Sequence, residues 1–268
     1  MTVVGPGIPT PNGGTVTLDE NGDLETMTGN DKTGVSGPSI DSDGDRIPDD
    51  AENEKVFDGA ILSNADPTQK DLYVVFFYSN DSERLTDTEK RQLRSIWGSM
   101  NVSNPNGESG INLHIVEERR AQHEFSRQYP ENVSHSSELA DTYDEYIDNG
   151  CSVYHLVILG EIENRESVNV GGWGDGPGLA TYVDHENTRY SSTEYGSRVR
   201  TITHELLHNV VGPINGSHAP NDPKHSKQGW LGIVEHERDL PKNEALHPAV
   251  ASQLSDDFAE SPYYRQIC

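Results

Sequence analysis

"THELLHNVVGPIN" occupies residues 203–215 and decides how the rest of the chain is read. It sets His204, Glu205 and His208 among Val199, Ile202, Leu206, Leu207, Val210 and Val211, then stops at Gly212-Pro213. Positions four apart on an α-helix differ by only about 40° around the axis, one turn up. Both imidazoles therefore point the same way and reach a single Zn²⁺ at about 2.0–2.1 Å. Glu205 lies beside the metal rather than on it. That is where a general base takes a proton from a water that zinc acidifies to a pKa of roughly 7. The apolar neighbours bury the helix on most sides, and buried unpaired histidines with a buried glutamate are costly unless a metal organises them. The pattern predicts a helix over 196–211, ended by a left-handed Gly212 and by Pro213.

Catalytic zinc takes three protein ligands and leaves its fourth position to water. The histidines beyond the helix are His218, His225, His236 and His247. "INGSHAPNDPKHS" (214–226) is rich in Gly, Asn, Asp and Pro, which predicts consecutive turns leading back to the metal. His218 is ten residues past His208, whereas His225 has seventeen residues in which to loop round before Trp230-Leu231 anchors the chain. His225 is the favoured third ligand and His218 the alternative. Asp222 ranks third, because zinc in hydrolytic sites also accepts carboxylate oxygen.

The helix resembles the H-E-x-x-H-x-x-G-x-x-H segment of metzincin metallopeptidases. It departs from that pattern in three ways: the glycine, Gly212, comes one residue late; position 214 is Ile; and no methionine follows the helix to make a Met-turn. A thermolysin-like ligand would be a glutamate some way downstream, and Glu235 and Glu237 come a little late for it. "HSKQGWL" (225–231) resembles a segment that follows the zinc helix in secreted archaeal zincins, and "ADPTQKD" (65–71) resembles their entry into the first core strand. The resemblance implies an α+β zincin-like catalytic domain over 67–268: a mixed twisted sheet with an edge strand over an active-site helix.

The intervening sequence carries the order of an α/β domain. "DLYVVFFYS" (71–79) is an apolar, aromatic and β-branched run, hence a buried strand, and 82–100 places Leu85, Leu93, Ile96 and Trp97 at helical spacing behind a Thr86 or Asp87 cap. Strands follow at 111–118 and 152–160, with a helix at 137–150 between them. "GLATYVDH" (178–185) reads as the edge strand, after the glycine-rich "VGGWGDGPG". An edge strand pairs with an extended peptide by β-augmentation, with the glycine-rich loop as the cleft rim. A last short helix is expected within 247–258.

Upstream, "DSDGDRIPDDAE" (41–52) puts Asp41, Asp43, Asp45, Asp49 and Glu52 at positions 1, 3, 5, 9 and 12 of a loop, with the Ile47 carbonyl at position 7. Those are the oxygen positions of an EF-hand-type Ca²⁺ loop, although Arg46 stands where the sharp-turn glycine belongs and no helix convincingly flanks it. The stretch is similar to the "DSDGDG-x-P-D" loops of thrombospondin type 3 repeats, which implies a calcium module on a secreted protein. Residues 1–40 lack apolar periodicity and read as a flexible arm, with 41–66 as calcium loop and linker.

With 45 Asp+Glu against 20 Lys+Arg the net charge is −25, which excludes a nucleic-acid or anionic-membrane partner. Such a surface suits molar salt, where the Debye length falls to roughly 3 Å, and the composition resembles that of proteins from salt-loving archaea. No run approaches the ~18 apolar residues of a membrane span. The expected setting is extracellular or cell-surface, after removal of a leader, with a cytoplasmic one as the other option. Cys151 and Cys268 either pair or stand as free thiols. The leading function is a zinc-dependent endopeptidase acting on a peptide or protein substrate. The competing functions are a calcium-stabilised adhesion protein with a closed structural zinc site and a zinc amidase acting on a non-peptide polymer.

Overall fold

The run DLYVVFFY forms a strand, Asp71–Tyr78, with all eight residues buried. Leu72, Val74, Phe76 and Tyr78 enter one apolar cluster, together with Leu93, Ile96 and Trp97 of one helix and Val199, Ile202, Leu206 and Val210 of another. Val75 and Phe77 enter a second cluster with Leu139, Ala140 and Tyr143 of a third helix. Successive side chains of a strand alternate between faces, so a strand covered on both sides must be apolar throughout. This is the physical reason the run reads as continuous.

The computed structural model describes residues 8–9, 15–18, 24–28, 40–57, 59–129, 136–147, 153–163, 170–187, 191, 194–215, 217–219 and 222–260. Two units make up the chain, Met1–Ile40 and Asp41–Cys268. Within the first, where the sequence suggested an arm, β1 (Ile8–Pro9), β2 (Thr15–Leu18) and β3 (Leu24–Thr28) pair antiparallel in that order. Cys151 and Cys268 both lie outside the described residues, as does the expected helix end at Asn149-Gly150.

The second unit is a mixed α/β fold. It opens with α1 (Asp49–Glu54), a helix directly behind the acidic loop that the sequence did not disclose, and a small ladder of β4 (Val56–Phe57) and β5 (Ala60–Ile61). Then come β6 (Asp71–Tyr78), α2 (Asp87–Gly98), β7 (Asn112–Arg120), β8 (Ser126–Arg127), α3 (Ser136–Tyr146) and β9 (Tyr154–Ile162). Thr86 caps α2 in a reciprocal capping box with Glu89. The chain continues through β10 (Gly172–Gly174), β11 (Ala180–Asp184), α4 (Ser197–Val210), β12 (Ser217–Ala219), β13 (Asp222–Ser226), a 3-10 helix (Glu237–Asn243) and α5 (Pro248–Asp256).

The main sheet runs β10-β11-β9-β6-β7, with β8 beside β9. All its pairings are parallel except β10 with β11. Two expectations change here. The edge strand is β10, inside the glycine-rich stretch, whereas 180–184 is an interior strand between β10 and β9. Five of five residues of β11 are buried, as an interior position requires. After α4 the chain returns as a hairpin, β12 against β13, rather than as a series of turns.

The end of α4 also departs from the local rule. Val211, in extended backbone, caps the helix, and Gly212 is not left-handed. Tertiary groups take the place of a glycine cap by satisfying the orphan carbonyls. The Asn209 carbonyl accepts from Arg46 Nη2 at 3.0 Å and from the Gly178 N–H at 3.0 Å, and the Val210 carbonyl accepts from the Ala259 N–H at 2.9 Å. Gln253 of α5 then accepts from the Gly212 N–H at 3.1 Å and donates to the Pro213 carbonyl at 2.6 Å.

Candidate metal centre and active site

His204 and His208 stand one turn apart on α4, and β13 brings His225 opposite them. Each of the three offers a ring nitrogen, and these nitrogens lie within 4.8 Å of one another. The rings are mutually close, with centroids at 4.9 Å (His204–His208), 5.3 Å (His204–His225) and 4.9 Å (His208–His225). Two nitrogens bound at about 2.05 Å to a tetrahedral ion stand about 3.3 Å apart. His204 Nε2 and His208 Nε2 are 3.3 Å apart, so the pair has the spacing that a shared zinc requires.

The groups behind the imidazoles fit the same purpose. His204 Nδ1 lies 2.7 Å from the Trp230 carbonyl, which makes Nδ1 the protonated nitrogen and leaves the Nε2 lone pair facing His208. Burial, reinforced by His225, pushes the His204 pKa down to about 3, so the ring is held neutral, the form a metal binds. His225 Nδ1 lies 2.9 Å from Asp222 Oδ2. Asp222, weighed from the sequence as a ligand, instead orients His225. Trp230 and Leu231 are buried, at 6% and 1% exposure, and anchor the return strand. The backbone of His218, the alternative ligand, is in β12, and its side chain lies outside the described residues. Glu235 is not in the group.

Glu205 is buried beside the triad, and burial pushes its pKa up to about 8, with the Gly174 backbone N–H pulling it part of the way back. A carboxyl poised near neutrality suits proton transfer. The antiparallel edge strand lies directly against it. A Cβ on Gly172 would come within 3.0 Å of Glu205 Cγ, and one on Gly174 within 2.4 Å of the Glu205 carbonyl oxygen. Residues two apart on a strand share a face, so glycine at 172 and 174 is what admits the helix. Trp173 points the other way and stacks on Tyr182 at 4.6 Å. Sequence reasoning passed over Tyr129, which packs edge-on against Trp173 and whose pKa is raised by burial and by the charge of Glu205.

Asn209, next to the second histidine, is another residue without a sequence signal. Its amide donates to the Asp175 carbonyl at 2.8 Å and to the Ala180 carbonyl at 3.0 Å. Its oxygen accepts from Thr181 Oγ1 at 3.1 Å. One buried side chain thus fastens the helix to the loop and strand that carry the cleft edge.

The acidic residues of the loop and its surroundings gather in two groups. Asp41, Asp43 and Asp45 form one group, and Asp45, Glu52 and Asp71 form another. Asp49 accepts from the N–H and hydroxyl of Ser42, both at 2.7 Å, and Ile47 donates its N–H to Asp45. Arg46 adopts the positive φ, 77°, that glycine usually supplies at this loop position.

No family model matches the chain, and no curated protein does. Three solved structures illustrate its similarities. An archaemetzincin from Methanopyrus kandleri has 13% identity and TM-score 0.40, covering 69% of this chain and 94% of that one. Metalloproteinase-II from Bacteroides fragilis has 15% identity and TM-score 0.44, with 70% of this chain covered and 53% of that one. A zinc-dependent peptidase from Methanocorpusculum labreanum has 9% identity and TM-score 0.39, with 68% and 99% covered.

Proposed function

We propose that this protein is a secreted zinc-dependent endopeptidase in which His204, His208 and His225 hold the metal and Glu205 is the general base. The observation that carries the reading is the three converging imidazoles with a buried carboxyl alongside. Zinc, when bound, supplies an acidified water and polarises the scissile carbonyl. The chain's own residues do the rest. Trp230 and Asp222 hold the ligand rings, Glu205 accepts the proton and passes it to the leaving amine, and β10 offers an edge along which an extended peptide pairs. In the same reading Asp41, Asp43 and Asp45 bind Ca²⁺. The acidic surface belongs to a protein that works in high salt.

Glu205→Gln tests this. Zinc content should stay that of the wild type while peptide hydrolysis falls about 10²–10⁴-fold, the usual contribution of a general base. Near-normal turnover by that variant would sink the mechanism.

A further inference from the structure

Asp45 and Glu52 of the expected calcium loop meet a buried carboxylate from outside it, Asp71. Asp45, Glu52 and Asp71 are 4%, 0% and 1% exposed, and one carboxylate oxygen of each lies within 4.8 Å of the others. They come from three places: the loop, α1 and the first residue of β6. Asp45 Oδ2 accepts from the Asp71 N–H at 2.8 Å, which ties loop to strand, while Ile47 and Ala51 pack with Tyr73 in a small core behind them.

The three carboxylates are unequally engaged. Asp71 is already aimed, by His114 Nε2 at 2.6 Å and by the Asp66 N–H at 2.9 Å, with lone pairs to spare on each oxygen. Glu52 is different. Among the described residues neither of its oxygens has a hydrogen-bond partner, although the side chain is wholly buried. A buried carboxylate without partner or counter-charge is strongly unfavourable, and protonating it would leave a buried O–H without an acceptor. Lys70 does not resolve this. Its buried Nζ makes no hydrogen bond among the described residues and feels chiefly Asp43, Asp45, Asp257 and Asp41, whereas Glu52 is governed first by burial and then by carboxylates alone.

We propose that Asp45, Glu52 and Asp71 form a second site for a hard divalent cation of the calcium class, sharing Asp45 with a first cation on Asp41 and Asp43. The donors are all oxygen, which favours Ca²⁺ over zinc, and irregular placement on three elements suits calcium better than the strict octahedron of magnesium. The pair of ions joins the loop to the core strand. It also fixes Arg46, whose N–H donates to Asp41 Oδ2 and whose guanidinium holds the Asn209 carbonyl at the end of the zinc helix.

The proposal extends the reading of Asp41–Asp45 as a calcium site, and the stoichiometry of Ca²⁺ bound by the zinc-loaded full chain separates the two. Equilibrium dialysis followed by metal analysis should give two Ca²⁺ per wild-type chain, one for Glu52→Gln, one for Asp71→Asn and one for Asp41→Asn, with zinc unchanged in all. Terbium luminescence sensitised by the adjacent Tyr73 should show the same loss of one site in Glu52→Gln. Glutamine matches the shape of Glu52 without its charge, so that variant should melt higher than wild type in the presence of EGTA. Two Ca²⁺ retained by both Glu52→Gln and Asp71→Asn would overturn the second site. One Ca²⁺ in wild type, lost in Asp41→Asn and kept in Glu52→Gln, would overturn it while leaving the loop site standing. No Ca²⁺ in wild type would overturn both.

Discussion

His225 is the residue whose removal is most informative, because α4 alone offers only two of the three grouped histidines. His225→Ala should lose zinc on dialysis, while His218→Ala should keep it; the reverse would reassign the third ligand. Asp222→Asn is a subtler case. A carboxylate behind a ligand histidine fixes its ring, and such partners are worth about 10–100-fold in metal affinity, so zinc competition with a chelator should show a loss of that order. His204 and His208 were legible in the sequence because helical geometry alone places residues four apart on one side. His225 rested on its place in "HSKQGWL" and on the length of chain available, not on any local geometry. Asp71 stood out only as the end of "ADPTQKD", with nothing to mark it as a ligand, since a single acidic residue at the start of a strand looks like a solvated end.

At the scale of elements, β10 against α4 is the contact on which the site depends. Gly174→Ala would set a methyl 2.4 Å from a backbone oxygen of α4, and helix and strand must part to admit it. Overpacking of this kind costs roughly 1–3 kcal/mol, so calorimetry should find a melting temperature lower by several degrees. An unchanged melt would mean that the contact is loose. Elements set by side-chain periodicity, such as β6 and α2, could be read directly. Those set by tertiary context could not: β10 has no pattern of its own, and β12–β13 is written in turn-type residues. The αL rule at Gly212 lost to Arg46, Gly178 and Ala259, which cap the helix from elsewhere. His155, on β9 below the helix and 3.4 Å from Asn209 Oδ1, has its pKa pushed down to about 3, first by burial and then by Arg46. Its folded pKa lies below the ordinary value, so its contribution to stability is complete above about pH 6.5 and is lost as pH falls toward 3. NMR should show its ring neutral at about pH 5; a ring titrating near 6.5 would contradict the packing.

Over the whole molecule, net charge sets the conditions of stability. With −25 charges, self-repulsion is relieved only by screening and by bound cations. The melting temperature should climb between 0.1 and 2 M KCl, about a fourfold fall in Debye length, with divalent ions held constant. A flat response would count against the high-salt reading. Composition made that charge legible at once, but not where it gathers, because the burial of Asp45, Glu52 and Asp71 arises only when loop, helix and strand meet. The proposed metal site is open to one direct measurement. Crystals of the full chain grown with zinc, measured at the zinc absorption edge, should give an anomalous peak bonded to nitrogens of His204, His208 and His225, with Glu205 beside it and one coordination position facing solvent. No peak among those three rings, or a fourth protein ligand closing the site, would contradict it.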